Sequence, residues 1–227
     1  MKNILINDPS PYLQQHKNNP VHWQTWSKES LGYAKNEKKP ILLSIGYSSC
    51  HWCHVMAHES FEDKETAELM NKNFINIKVD REERPDIDFI FQSSFQLFNQ
   101  SGGGWPLTMF LDENGVPFMG GTYFPKSDKH GLPGFKKILQ TVANAYKEQR
   151  TKIIEQKDLI IVNLALKKTN VISQETEPIL ENLLNNLDEK NGGYKGAPKF
   201  PTFHVFDTLL YFYNKTKNEK YLNPVKL

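Results

Sequence analysis

The chain has 227 residues and a formal net charge of +2, so its charge calls for neither a nucleic acid nor an anionic membrane as partner. With 38% hydrophobic residues it can bury an ordinary core, and its length suits one domain plus part of another. No stretch approaches a membrane span and the apolar run Ile4-Leu5-Ile6 is too short for a secretion signal, so the expected compartment is the cytoplasm, where thiols are kept reduced.

Residues 8–26 hold three prolines and little periodicity, which predicts an irregular N-terminal arm anchored by Tyr12, Trp23 and Trp26. His16 and His22 become site residues only if that arm folds over the active centre; hydrogen-bonded structural roles are the expectation. A helix follows over about Ser27 to Glu37, with Leu31 and Ala34 on one face. Pro40 to Gly46 then reads as a buried strand, an apolar run entered by a proline and left through a glycine.

The next residues, Ser48-Ser49-Cys50-His51-Trp52-Cys53-His54, contain the only two cysteines of the chain. Val55 to Phe61 is free of Gly and Pro and predicts a helix, so the pair falls at a strand-to-helix junction. A helix N-terminus directs partial positive charge at the first thiol, favouring its thiolate, which makes Cys50 the candidate nucleophile and Cys53, one turn on, the resolving thiol. Two other chemistries fit the same letters. C-x-x-C-H is the haem-attachment pattern, although no export signal precedes it and a core strand abuts it. Cys50, Cys53, His54 and His58 also supply four zinc-type ligands, although all four crowd into nine residues where structural zinc sites pair two separated loops. The bland alternative is a pair of inert core cysteines.

Asp63 is placed to cap a helical stretch running to Met70. Phe74 to Val79 alternates apolar and polar with strand period. The charge run Asp80-Arg81-Glu82-Glu83-Arg84-Pro85-Asp86 predicts a solvated turn with mutual ion pairs; the alternative is that Asp80, at the strand end, faces the cysteines. Ile87, Ile90, Phe91, Ser94, Phe95 and Phe98 recur at helical spacing and predict a core-facing helix. The glycines of Ser101 to Trp105 lead to Pro106 and a strand, with no G-K-[ST] and no helix following, which argues against a phosphate loop. A proline there can stand in cis before the strand. Asp112-Glu113-Asn114-Gly115 is a hairpin turn returning through Val116 to Gly121, and a helical stretch runs from Gly134 to about Lys168.

This order of elements resembles the thioredoxin fold from about Pro40 to Tyr146, with Cys50, Cys53 and Pro106 at the matching positions. Further motifs sharpen the resemblance: Ser10-Pro11-Tyr12-Leu13, Asn19-Pro20-Val21, the Ser44 to Met56 segment, His58-Glu59-Ser60-Phe61, the Val79 to Asp88 run, Gly103-Gly104-Trp105-Pro106-Leu107 and Gly121-Thr122-Tyr123-Phe124-Pro125. Together they are similar to the family of thioredoxin-domain proteins related to bacterial YyaL and spermatogenesis-associated protein 20, the DUF255 type. The resemblance implies an α/β fold, a central mixed sheet flanked by helices, with a thioredoxin-like domain and its N-terminal arm over residues 1–168 and a helical extension over 169–227. That extension resembles the start of a truncated helical-hairpin barrel of the glycosidase kind, matched by Asn191 to Pro201 and a helix over about Phe203 to Thr216. A lone helical pair from such a barrel would leave apolar faces at Leu180, Leu183, Leu184, Leu209, Tyr211 and Phe212, through which it would dimerise or fold back.

One departure concerns chemistry. Thioredoxins carry a buried aspartate six residues before the first cysteine, and Ser44 stands there in this chain; Asp80 or Glu59 would then serve in proton transfer. His51, between the cysteines, would stabilise the Cys50 thiolate when protonated and make the disulfide more oxidising. The expected function is thiol–disulfide exchange by Cys50 and Cys53 tuned by His51, with Trp52, Trp105 and Pro106 lining the substrate groove. No cofactor is expected beyond the redox-active disulfide, and the partner would be a protein or small-molecule thiol or disulfide. The alternatives are a non-catalytic accessory module or the zinc module.

Overall fold

A computed structural model of the chain describes residues 1–99, 102–129, 131–155, 176–197, 199 and 202–226. Two compact units emerge, Met1–Leu166 and Lys167–Leu227.

In the first unit four strands make one mixed sheet in the order β2-β1-β3-β4, with β1 at Ile41–Gly46, β2 at Ile75–Asp80, β3 at Leu107–Leu111 and β4 at Pro117–Gly121. β1 and β2 run parallel, Ile41 opposite Ile75 and Gly46 opposite Asp80. β3 lies antiparallel to β1, and β4 antiparallel to β3. A parallel pair needs a long crossover. It is supplied by α3 (His51–Met56), a π turn (Ala57–Phe61) and α4 (Lys64–Asn73). The turn between β3 and β4 closes on Asp112, whose carboxylate accepts the Asn114 and Val116 amides at 2.8 Å while Gly115 takes a φ of 84° that a side chain would resist.

The pleat sends alternate residues of β1 to opposite faces. Leu42 packs with Met56, Phe61, Met70, Phe110 and Phe135 on the face under α3, α4 and α6 (Phe135–Glu155). Leu43 and Ile45 pack with Ile77, Val79, Ile87, Phe91 and Phe95 on the other, under α5 (Pro85–Asn99) and α2 (Lys28–Glu37). This is the thioredoxin-like α/β architecture.

Local signals fix the helix ends. Ser27 accepts from the Ser30 amide at 3.2 Å and Asp63 from the Thr66 amide at 3.0 Å, each satisfying an otherwise unpaired donor. The Thr66 hydrogen bonds and then Lys126 hold the Asp63 carboxyl below the usual range.

Three expectations change. The polar members of the β2 alternation, Asn76, Lys78 and Asp80, are as buried as its apolar ones, because the N-terminal arm covers that face: Gln24 bridges to Ile77 and accepts the Lys78 amide at 2.9 Å. Ile90 is half exposed. At 3.6 residues per turn it sits on the rim of the stripe formed by Ile87, Phe91, Ser94, Phe95 and Phe98. The helix after the cysteines does not stay α but widens into the π turn, which lets Phe61 reach Trp23 and Phe135. The helical stretch expected to Lys168 is seen to Glu155; its remainder, and Ser101, Pro198, Phe200 and Pro201 of the motifs, lie outside the described residues.

The second unit has α7 (Glu177–Asn185), α8 (Phe203–Thr216) and α9 (Glu219–Leu222). Leu180 and Leu209, expected on exposed faces, are instead buried with Leu187, Val205 and Tyr221 in a small core of its own. The short α9 folds Tyr221 back against Phe212. Tyr211 stays exposed.

Candidate active site

β1 ends at Gly46 and the chain turns through Tyr47 to Ser49 into α3. Cys50 is the N-cap of that helix: its sulfur accepts the Cys53 amide at 3.2 Å. Cys50 and Cys53 are joined by a disulfide with Cα atoms 5.3 Å apart, and only 3% and 1% of their surfaces are exposed. The first sulfur therefore faces the positive end of the helix, as the strand-to-helix junction requires. His51 is exposed and Trp52 is 53% exposed, so the dipeptide between the cysteines projects outward.

The glycine loop and the start of β3 frame the same region. The Trp105–Pro106 peptide is cis. Trp105 is pinned from three sides: its indole N–H donates to Asp88 Oδ1 at 2.9 Å, its ring meets Tyr47 at 5.9 Å, and the Arg81 guanidinium stacks 4.0 Å from its centre. Asp88 also faces Arg81 Nε at 3.6 Å. Gln92 donates to the Gly104 carbonyl at 3.1 Å and steadies the loop. Trp52, Trp105, Thr122 and Tyr123 line an open groove of about 300 Å³ with the glycines at 102–104. Trp52 packs on Tyr123 at 5.0 Å.

The other expected residues are placed as follows. Glu59 accepts the Tyr123 hydroxyl at 2.6 Å; burial and this bond push the tyrosine up to about 12. Asp80 is buried and accepts Ser10 Oγ at 2.6 Å and the Glu82 amide at 2.9 Å, which ties the arm to the end of β2. Neither carboxylate hydrogen-bonds a cysteine. Of the rest of the charge run, Arg81 to Glu83 form a turn and Pro85 and Asp86 open α5, with Arg84 paired to Asp86 at 2.8 Å. His54 donates from Nε2 to the Ser48 carbonyl at 2.8 Å, and the exposed His58 faces Glu62 at 2.9 Å. Cys50, Cys53, His54 and His58 thus do not converge, and among the described residues no cluster of His, Cys, Asp and Glu is arranged to hold a metal. The arm does fold over the cysteine helix, but His16 is structural: it bonds Asn19 at 2.9 Å between Tyr12 and Phe61, and burial pushes it down to about 2. His22 is only partly buried, and its backbone amide donates to Asn71.

Behind the disulfide lies a group that sequence reading passed over. Ser44 is fully buried and accepts a hydrogen bond from the side-chain nitrogen of Lys78 at 3.0 Å. Lys78 is 1% exposed, and its nitrogen stands 4.7, 4.8 and 5.0 Å from the ring centres of Phe61, Trp23 and Tyr12. Those rings favour the ammonium by about 0.5–2 kcal/mol each, against several kcal/mol for removing it from water. No carboxylate pairs with it among the described residues. Burial prevails and holds Lys78 well below the ordinary lysine range. The signal was available: a parallel strand next to the cysteine strand is buried on both faces, so a lysine inside it cannot reach water.

Tyr12 closes the constellation. Its hydroxyl is buried without a hydrogen-bond partner, and burial and then Asp80 raise its pKa. A Cβ on Gly46 would stand 2.7 Å from the Cys53 sulfur and closer still to this hydroxyl, so both atoms converge on one point. Gly46→Ala is expected to cost about 1–3 kcal/mol through overpacking, read as a lower urea midpoint; an unchanged midpoint would contradict that convergence.

Residues 2–165 match the Thioredox_DsbH family model, described as a protein of unknown function, DUF255. Spermatogenesis-associated protein 20 of Rattus norvegicus is 40% identical over 220 residues, covering 93% of this chain and 28% of that protein. An uncharacterised protein of Caenorhabditis elegans is 42% identical over 216 residues, covering 93% and 29%. The chain spans less than a third of the length of these relatives. Among solved structures, a DsbH oxidoreductase aligns at 19% identity and a TM-score of 0.41, covering 56% of this chain and 85% of its own. A thioredoxin from Thermus thermophilus aligns at 19% identity and 0.38, covering 58% and 95%. The family match runs through every residue of the site described above, and the chain belongs to the Thioredox_DsbH (DUF255) family.

Proposed function

We propose that this chain carries a thiol–disulfide oxidoreductase domain. The observation that carries the reading is the bonded Cys50–Cys53 pair with Cys50 capping α3 at the end of β1. The Cys50 thiolate attacks a substrate disulfide, a mixed disulfide forms, and Cys53 resolves it. His51, exposed beside Cys50, stabilises the thiolate when protonated and so makes the pair more oxidising than thioredoxin, whose potential is about −270 mV. Trp52 and Trp105 receive the substrate in the open groove, while Pro106, expected to line it, is buried and holds the cis turn behind Trp105. The redox-active disulfide is the only cofactor required, the partner is a protein or small-molecule thiol or disulfide in the cytoplasm, and neither nucleic acid nor membrane takes part. Self-association through the second unit would use its exposed Tyr211.

Ser44, in place of the expected acid, favours a second reading: an accessory module of a larger carbohydrate-active protein, with idle cysteines. Incubating the reduced protein with an unstructured peptide that holds one disulfide separates the two. Stoichiometric release of peptide thiols supports exchange, whereas no release while the protein remains folded supports the accessory module.

A further inference from the structure

Resting on the exchange reading, the inference concerns how the buried Cys53 becomes nucleophilic. Its sulfur is sealed from water, and a thiol attacks only as the thiolate. The two carboxylates suited by sequence are engaged elsewhere, Glu59 with Tyr123 and Asp80 with Ser10 and the Glu82 amide.

What lies on the cysteine side of the sheet instead is an amine. Ser44 and Gly46 project from the same face of β1, the face that packs against α3. Cys53 stands over Gly46, Lys78 lies opposite Ser44 in register and bonds its hydroxyl, and the unpartnered Tyr12 hydroxyl also packs over Gly46. Of the titratable groups, the Tyr12 ring stands 5.0 Å from the amine, and His16 of the arm lies close enough for Lys78 to act on its charge. His16 is held neutral by burial and Tyr12 keeps its proton. Burial lowers Lys78 from the ordinary lysine range, which makes its nitrogen a readier proton acceptor than that of a solvated lysine.

We propose that the Lys78 amine accepts the Cys53 proton when the mixed disulfide at Cys50 resolves, by way of the Ser44 hydroxyl that it bonds. Cys53 gives its proton to the amine, which becomes an ammonium. The Cys53 thiolate bonds to Cys50 sulfur as the bond from Cys50 to the substrate breaks. The substrate leaves as a thiolate and is protonated from solvent, and Lys78 returns its proton to solvent. The cysteine pair is oxidised and the substrate disulfide reduced. Lys78 acts through other groups and is a positioning residue rather than one that touches the reacting sulfurs.

Reduced full-length chain mixed with a dithiobis(nitrobenzoate) disulfide reads the two half-steps separately. The first coloured thiolate reports attack by Cys50, the second resolution by Cys53. In Lys78→Met the first release keeps its rate while the second slows about 10²-fold, the size of a lost general base, and becomes proportional to hydroxide. A second release with wild-type rate and pH profile overturns the proposal. Absence of the first release in the wild-type protein overturns the exchange reading, and this inference with it. Lys78→Gln supplies a second variant. If neither folds, the wild-type profile decides: levelling below about pH 8, under the ordinary thiol pKa of about 8.5, supports an internal base, and a tenfold rise per pH unit up to pH 9 contradicts one.

Discussion

Cys50→Ser is expected to abolish exchange with a disulfide peptide, by more than about 10³-fold, because a serine hydroxyl is almost never ionised near pH 7 and the nucleophile is lost outright. Cys53→Ser has a different signature. Cys50 keeps its place at the cap of α3 and its attack continues, but nothing resolves the product, so a mixed disulfide of protein and peptide accumulates. Mass spectrometry under acid quench reads both outcomes: no adduct for Cys50→Ser, and one peptide per chain for Cys53→Ser. Equal adduct yields from the two variants, or full exchange by Cys50→Ser, would contradict the assignment of Cys50 as the attacking sulfur.

The second large effect is thermodynamic. Lys78→Met is expected to stabilise the fold at pH 7 by about 1–4 kcal/mol, the order found when buried ion pairs give way to apolar groups of similar volume, less about 1 kcal/mol for the lost bond to Ser44. Its pH dependence follows from burial. Because the folded pKa of Lys78 lies below its ordinary value of 10.5, the folded state binds fewer protons than the unfolded chain between the two values. The penalty is full below the folded pKa and fades as pH rises toward 10.5. Wild-type stability therefore gains on the variant across the alkaline range, and the gap closes. Urea midpoints from pH 6 to 10 check this; a variant less stable than wild type at pH 7, or a gap independent of pH, would contradict it. A substitution that strengthens the fold while slowing one half-step is hard to reconcile with a purely structural lysine.

The pattern of legible and illegible features follows from how local each signal is. The cysteine site was readable because its determinants are contiguous: a strand, a cap and a helix within Pro40 to Phe61, and a proline at the head of β3. The Asp63 cap and the Asp112 turn are local in the same way. Alternation alone assigned Lys78 to water; the parallel pairing of its strand pointed the other way, and its cover comes from Phe61 and from Tyr12 and Trp23 of the arm more than fifty residues earlier. The engagement of Asp80, expected as a proton-transfer group, is non-local in the same way, since Ser10 of the arm donates to its carboxylate. Ile90 sits where helical periodicity gives no sharp edge between core and rim. In the second unit, helical stripes marked Leu180 and Leu209 as apolar, but their cover comes from Tyr221 beyond the end of α8.

The most direct test of the central claim is the redox equilibrium of the cysteine pair. Purified protein equilibrated across a series of glutathione buffers, alkylated and weighed, should show a reversible two-electron transition of Cys50 and Cys53 between about −270 and −120 mV, above thioredoxin if His51 tunes the thiolate. Thiols that never pair reversibly in that range would contradict an oxidoreductase and leave the cysteines as packing groups of an accessory module.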